Sequence, residues 1–248
     1  MMVIMSDQDT GGAAMPSFDD AVARVPFLRA LSPKDRERLR PYAAVRRIPQ
    51  GRPVWTLDDA AQEFIFAIEG HVKLIRPCES GREVIIDVGK PGELLCASAA
   101  CAFAPYCCTC TALDRDVIIL VLPRRDVLHL LEQNPTAAAA FVREATGREM
   151  RLGRRIVELA SGHVEQRVCA LLLRLGDQGG TPLSGGQTRI ALKLSRQDLA
   201  DLCGTTLESA IRVMTKLSRE GTVRTTASGF VIRDRVKLEA LARGRSER

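Results

Sequence analysis

The 248 residues carry 36 Lys+Arg against 30 Asp+Glu, and nearly half of them are apolar, which suits one large or two medium domains with real cores. No run of about 18 apolar residues occurs, so no membrane-spanning helix is expected, and Met1 to Pro16 lacks a basic region followed by an apolar core, so no secretion signal is expected. A cytoplasmic chain is the expectation, in which the eight cysteines are thiols or metal ligands rather than structural disulfides.

Charge is uneven along the chain. Residues 1–137 hold 16 Lys+Arg and 18 Asp+Glu, whereas residues 138–248 hold 20 and 12. A basic C-terminal half suits a polyanionic partner.

In chain order, residues 1–16 are small and polar and read as a disordered tail. Residues 17–50 read as helical, with Phe27, Leu28, Leu31 and Leu39 as the apolar positions. Residues 53–122 read as short strands separated by turns. Phe64–Ile68 is an apolar run ending at Glu69-Gly70, Val72–Arg76 alternates in part, Glu79-Ser80-Gly81-Arg82 is a turn, and Val117–Leu122 is a continuous apolar strand closed by Pro123. Strands at this spacing predict a sandwich or barrel-like roll, assigned to residues 17–133. Asn134-Pro135 then opens a long helix across residues 134–162, with Pro in the first turn, where its missing N–H costs little. Val142, Ala145, Glu149, Leu152, Ile156 and Leu159 recur at steps of 3 and 4, a heptad seam that predicts a parallel dimer.

Residues 163–248 begin with an apolar helix, Val164 to Leu175, followed by a Gly-rich loop, Gly176 to Gly186. The sequence LSRQDLADLCGTTLESAIRVMTKLSREG, Leu194 to Gly221, then reads as two helices about a tight turn. Ser195 with Asp198, and Thr205 with Glu208, have capping-box spacing, and Gly204 permits the turn. Leu199, Leu202, Ala210, Val213, Met214 and Leu217 face inward; Thr206, Glu208, Ser209 and Arg212 face outward near the start of the second helix. That is a helix-turn-helix, whose second helix offers its N-terminal residues to the major groove. Val223–Thr226 and Gly229–Ile232 flank Ala227-Ser228 as a hairpin, the wing of a winged helix.

The domain order, the Glu69-Gly70-His71-Val72-Lys73-Leu74 turn, the Gly92-Glu93 turn and the helix-turn-helix together resemble the CRP/FNR family of bacterial transcription regulators, from about Phe18 to Leu241. The resemblance implies an α+β homodimer with an N-terminal β-roll of the cyclic-nucleotide-binding type, a dimerisation helix and a C-terminal winged helix-turn-helix. It also implies a palindromic promoter site and contact with RNA polymerase. In many members a Glu and an Arg four positions later read a TGA half-site; here these are Glu208 and Arg212. The chemistry agrees, since Glu accepts from the cytosine amino group and Arg pairs with guanine O6 and N7. Thr205, Thr206, Ser209 and Lys216 are candidate phosphate contacts.

The sensor loop departs from the family. Cyclic-nucleotide binders place a Gly-Glu and an Arg-Ser pair after the Gly92-Glu93 turn, but no Arg lies between Arg82 and Arg115. A cyclic phosphate is expected to meet no cation there, so cyclic AMP is not an expected ligand. Cysteine replaces the cradle: Cys96, Cys101, Cys107, Cys108 and Cys110 fall within fifteen residues. Thiolates suit iron–sulfur clusters, zinc or copper(I), and reactive thiols suit redox or nitric oxide sensing. An iron–sulfur cluster leads among the cofactors, ahead of haem and zinc. The N-terminal cysteine group of the family's oxygen sensors is absent, since no Cys precedes Cys78. The family's carbon monoxide sensor places a Cys haem ligand at Cys96 and a His two residues on, where this chain has Ser98, so haem would need another ligand such as His71. Scattered histidines and the lack of a nucleophile motif or phosphate loop argue against an enzyme.

Overall fold

The protein is described from a computed structural model covering residues 14–79, 81, 83–160 and 162–244. Most of the expected tail (residues 1–13) and two residues of the Glu79–Arg82 turn, Ser80 and Arg82, lie outside the described residues.

Three short helices lead in: α1 (Phe18–Arg24), α2 (Pro26–Ala30) and α3 (Pro33–Leu39). Ser17 and Ser32 cap α1 and α3 by accepting the N–H three residues on. The helical reading of residues 17–50 fails at its end, because Ala44–Pro49 is a strand. The roll comprises β1 (Ala44–Pro49), β2 (Pro53–Trp55), β3 (Glu63–Glu69), β4 (Val72–Pro77), β5 (Glu83–Gly89), β6 (Leu94–Leu95), α4 (Ala97–Cys101), β7 (Thr109–Ala112) and β8 (Asp116–Pro123). One sheet runs β1-β8-β3-β6 and the other β2-β7-β4-β5. β1 is an edge strand, antiparallel to β8 from Ala44 opposite Val121 to Pro49 opposite Asp116. Its inner backbone groups pair with β8, and Val45 and Ile48 pack on the core, so tertiary pairing overrides the local pattern.

Phe27, Phe64, Phe66, Ile118, Ile119 and Leu120 are fully buried between the sheets and the leading helices. Gly70 makes the β3–β4 turn at φ 74°, and a Cβ there would lie 2.8 Å from the Asp116 carbonyl oxygen, so only glycine fits.

α5 (Arg124–Gln133) closes the roll, and α6 (Pro135–Ala160) leaves it. The Asn134 side chain accepts from the N–H groups of Thr136 and Ala137, capping α6. The C-terminal domain contains α7 (Val164–Gly179), β9 (Thr181–Pro182), β10 (Thr188–Ile190), α8 (Arg196–Leu202), α9 (Leu207–Arg219), β11 (Val223–Thr226), β12 (Gly229–Ile232) and α10 (Arg235–Ala242). Two expectations need correcting here. The helix after Val164 continues to Gly179 rather than ending at Leu175, and the stretch expected as a loop contributes one strand, β9, to the sheet β11-β12-β10-β9. Gly176 lets α7 lie close to the sheet: a Cβ there would come within 3.2 Å of Ile232 Cδ1.

The roll and the C-terminal domain share one apolar cluster. Ile75, Ile85, Val88 and Leu113 of the roll pack with Leu171, Leu172, Leu199 and Leu202. Among the described residues no helix is long and apolar enough to cross a membrane.

Candidate effector pocket and DNA-reading helix

A cavity of about 560 Å³ lies between the roll and α6. Leu74, Ile86, Leu94 and Ala97 line it from the roll, and Phe141, Ala145 and Leu152 from α6. Cys96, Cys101, Cys107 and Cys108 open onto it.

The structure divides the five sequence-predicted cysteines. The sulfurs of Cys96, Cys107 and Cys108 lie within 4.8 Å of one another. Cys101 lines the same cavity from the end of α4 but stands outside that group. Cys110 is fully buried in the roll core, in register with Trp55 and Leu74. Sequence reasoning also passed over a Cys-x-x-Cys spacing, Cys107 to Cys110. It brings no pair together, because Cys107 is exposed while Cys110 is in the core.

The three grouped thiols differ electrostatically. Cys96 precedes α4 in a left-handed conformation, φ 47°. The hydrogen bond from the Cys108 thiol, helped by the Arg148 guanidinium and the Ala99 N–H, outweighs burial and holds Cys96 down at about 6. Cys108 is pushed up by that same bond and by burial. Burial alone pushes up Cys101 and leads in pushing up Cys110.

A cation does line this cavity, contrary to the expectation drawn from the loop. It is Arg148, supplied by α6 rather than by the loop. Its Nη1 donates to the Leu94 carbonyl at 3.2 Å, and its Nη2 lies 3.4 Å from Asp87. One turn on, Arg151 pairs with Glu93 at 2.9 Å. Burial pushes the Glu93 carboxyl up, against the opposing pull of Arg151. Four residues further, Arg155 is 4% exposed, and its Nη2 donates to the Ile85 carbonyl at 2.7 Å and the Leu202 carbonyl at 2.8 Å. Arginines at steps of 3 and 4 lie along one helix face, so α6 meets the pocket, the β5 strand and the end of α8 in turn.

His71, the alternative haem ligand, is absent from this pocket wall. Its Nδ1 lies 2.8 Å from Asp114, and it lines a separate cavity of about 340 Å³ between the roll and α7.

The expected seam straddles α6. Ala145 and Leu152 line the pocket, and Leu159 packs against the turn at Gly204. Val142 and Glu149 are exposed yet also line the pocket, whereas Ile156 and Met150 face solvent.

In the helix-turn-helix, Ser195 and Asp198 form the expected capping box. The second cap is shifted by one residue: Thr206, not Thr205, caps α9 and accepts from the Ser209 N–H. Glu208 therefore takes no part in the cap. Glu208 and Arg212 are exposed one turn apart, flanked by exposed Leu207 and Ile211. Thr205 and Ser209 are half-buried, and Lys216 pairs with Glu165 of α7 at 2.7 Å.

Comparison with known proteins agrees with this architecture. Residues 166–241 match the Crp-like helix-turn-helix domain, and residues 45–134 match the cyclic nucleotide-binding domain. The chain is 27% identical to the cyclic AMP receptor protein of Thermus thermophilus over 88% of its length and 97% of that protein. It is 27% identical to the transcriptional activatory protein AadR of Rhodopseudomonas palustris, over 90% of its length and 91% of that protein. In fold it is similar to FixK2 from Bradyrhizobium japonicum, with a TM-score of 0.70 at 20% identity, over 80% of this chain and 96% of that one. With its cyclic-nucleotide-binding-type roll, long helix and Crp-like helix-turn-helix, the chain belongs to the CRP/FNR family of transcriptional regulators.

Proposed function

We propose that this regulator is a cytoplasmic homodimer that senses a redox, gas or metal signal at the thiol-lined pocket, in place of a cyclic nucleotide. The observation that carries the reading is the grouping of Cys96, Cys107 and Cys108 on the wall that the roll presents to α6. α6 runs from this wall to the helix-turn-helix, so an event at the thiols can alter how the C-terminal domain is held. Arg148 is already engaged by Asp87 and the Leu94 carbonyl, which leaves a cyclic phosphate without a free counter-charge. An iron–sulfur cluster, a single metal ion and thiol oxidation are the occupants or events this donor set suits; haem lacks a nearby His. An iron–sulfur cluster would need a fourth ligand beyond the three grouped thiols; Cys101 lines the same cavity.

On the DNA side, Glu208 and Arg212 read the TGA part of each half-site of a palindrome, and Thr205, Thr206, Ser209 and Lys216 set the register on phosphates. The dimer places two recognition helices about 34 Å apart, and bound regulator contacts RNA polymerase.

The test is affinity for a selected palindromic site, with thiols reduced, oxidised or metal-loaded. Wild type changes affinity between these states. Cys96→Ser, Cys107→Ser and Cys108→Ser each lose the change while retaining the fold. An unchanged response in all three variants would overturn the sensor reading.

A further inference from the structure

We infer that Cys96, Cys107 and Cys108 form a site for one soft, three-coordinate thiophilic ion of the arsenic(III) class. This rests on the reading of the pocket as the effector site and names the ligand that it takes.

Spacing carries the first part of the argument. Three sulfurs bonded to one ion at about 2.3 Å stand at most about 4 Å apart, and closer when the centre is pyramidal. The three sulfurs already lie within 4.8 Å of one another, so an approach of at most about 1 Å, within the reach of side-chain rotation, seats a single ion among them. Cysteines on separate irons of a cluster are held farther apart, because each bonds its own metal.

The donor count carries the second. Among the described residues, no fourth Cys, His, Asp or Glu joins this group. Structural zinc takes four ligands, whereas arsenic(III) completes its shell with three thiolates and a lone pair. Cys101 stays on the cavity wall and Cys110 in the core, so neither supplies a fourth sulfur to the group.

Charge selects within the class. The cavity is walled mainly by apolar residues such as Leu74, Leu94, Phe141 and Leu152; Glu144 and Glu149 also line it, and Arg148, the one cation among the described lining residues, is held by Asp87. Three thiolates on a trivalent centre form a neutral complex. On a monovalent ion they leave two negative charges in a largely apolar cavity that Glu144 and Glu149 also line, which is costly. Loading needs no oxidant: arsenous acid and three thiols give the tris-thiolate and three waters. Three As–O bonds break, three As–S bonds form, and each thiol proton leaves with a hydroxide.

The experiment titrates reduced full-length protein with arsenite. It measures retained arsenic, titratable thiols, the As–S coordination number by X-ray absorption, and DNA affinity in the same samples. The expected result is one arsenic per chain with three sulfurs, and three thiols lost. Retention should fall at least tenfold in Cys96→Ser, Cys107→Ser and Cys108→Ala, and stay unchanged in Cys101→Ser and Cys78→Ser. Circular dichroism verifies that each variant is folded. No retained arsenic, equal loss in Cys101→Ser, or preferential loading of copper(I) or of a four-iron cluster under competition would overturn the inference. If arsenic binds with three sulfurs but DNA affinity does not move, the site stands and the effector reading fails. If arsenic does not bind yet the cysteine variants abolish a redox response, the effector reading stands and this ion class fails.

Discussion

Lys73 of the β4 strand donates to Asp198 of the helix-turn-helix at 2.8 Å, across 125 residues of sequence. The other carboxylate oxygen of Asp198 accepts from the Ser195 N–H at 2.9 Å and from its hydroxyl at 2.6 Å. One side chain thus caps α8 and fastens the DNA-binding domain to the roll. Lys73→Met removes only the fastening and leaves a largely buried carboxylate without its cation. The domain contact should weaken by about 1–3 kcal/mol, seen as faster amide exchange in α8 with the roll strands unchanged.

The same carboxylate sets a pH dependence. Burial would raise the Asp198 pKa, but the hydrogen bonds from Lys73 and Ser195 together pull it below the ordinary 3.8. A lowered folded value means its contribution is complete above the unfolded pKa and is lost as pH falls through the folded one. The stability gap between wild type and Asp198→Asn should therefore be constant at neutral pH and shrink below about pH 4, read by urea unfolding at each pH.

Arg155 fastens three elements at one point, bonding the carbonyls of Ile85 and Leu202 from α6. Arg155→Met preserves most of the volume and strands both acceptors. We expect a loss of about 2–4 kcal/mol, together with separation of a single unfolding transition into two, measured by calorimetry.

Val142, Met150 and Ile156 place large apolar side chains in solvent along α6, with Ile156 at 67% exposure. Exposed apolar groups along one helix mark a surface that pairs. Ile156→Glu should convert the dimer to monomer in sedimentation experiments at micromolar concentration while leaving the circular dichroism spectrum unchanged.

Glu208 and Arg212 predict two different losses on DNA. Each substitution to Ala should cost about 1–3 kcal/mol for the correct half-site and relax preference at one base pair. Lys216→Ala should lower affinity evenly across sequences, and by less than either Ala substitution at Glu208 or Arg212, because Glu165 shares its ammonium. Competition binding against half-site variants separates these outcomes.

Local chemistry explains which features were legible in the sequence. Ser195 and Asp198 are three residues apart, and their capping box is a matter of spacing. The Thr206 cap was placed one residue early because Thr205 and Thr206 are equivalent until the backbone is known. Val45 and Ile48 belong to a strand only because β8 lies beside them. Scanning the sensor loop for arginine missed Arg148, which enters from a helix some 40 residues later. Five cysteines in the loop were visible, but which three converge depends on the turn that left-handed Cys96 makes into α4.

Arg155 gives the joint between domains a threshold. A guanidinium that is 4% exposed, with its Nε lacking a partner, is tolerable when sealed between Ile85 and Leu202 and tolerable when fully hydrated. Partly withdrawn, it would have neither the two carbonyls nor a complete water shell. Intermediate positions of the DNA-binding domain are therefore the least stable ones. Under the proposed sensing, a graded change in occupancy at the thiols would be converted into a choice between two arrangements, with molecules divided between them rather than poised halfway.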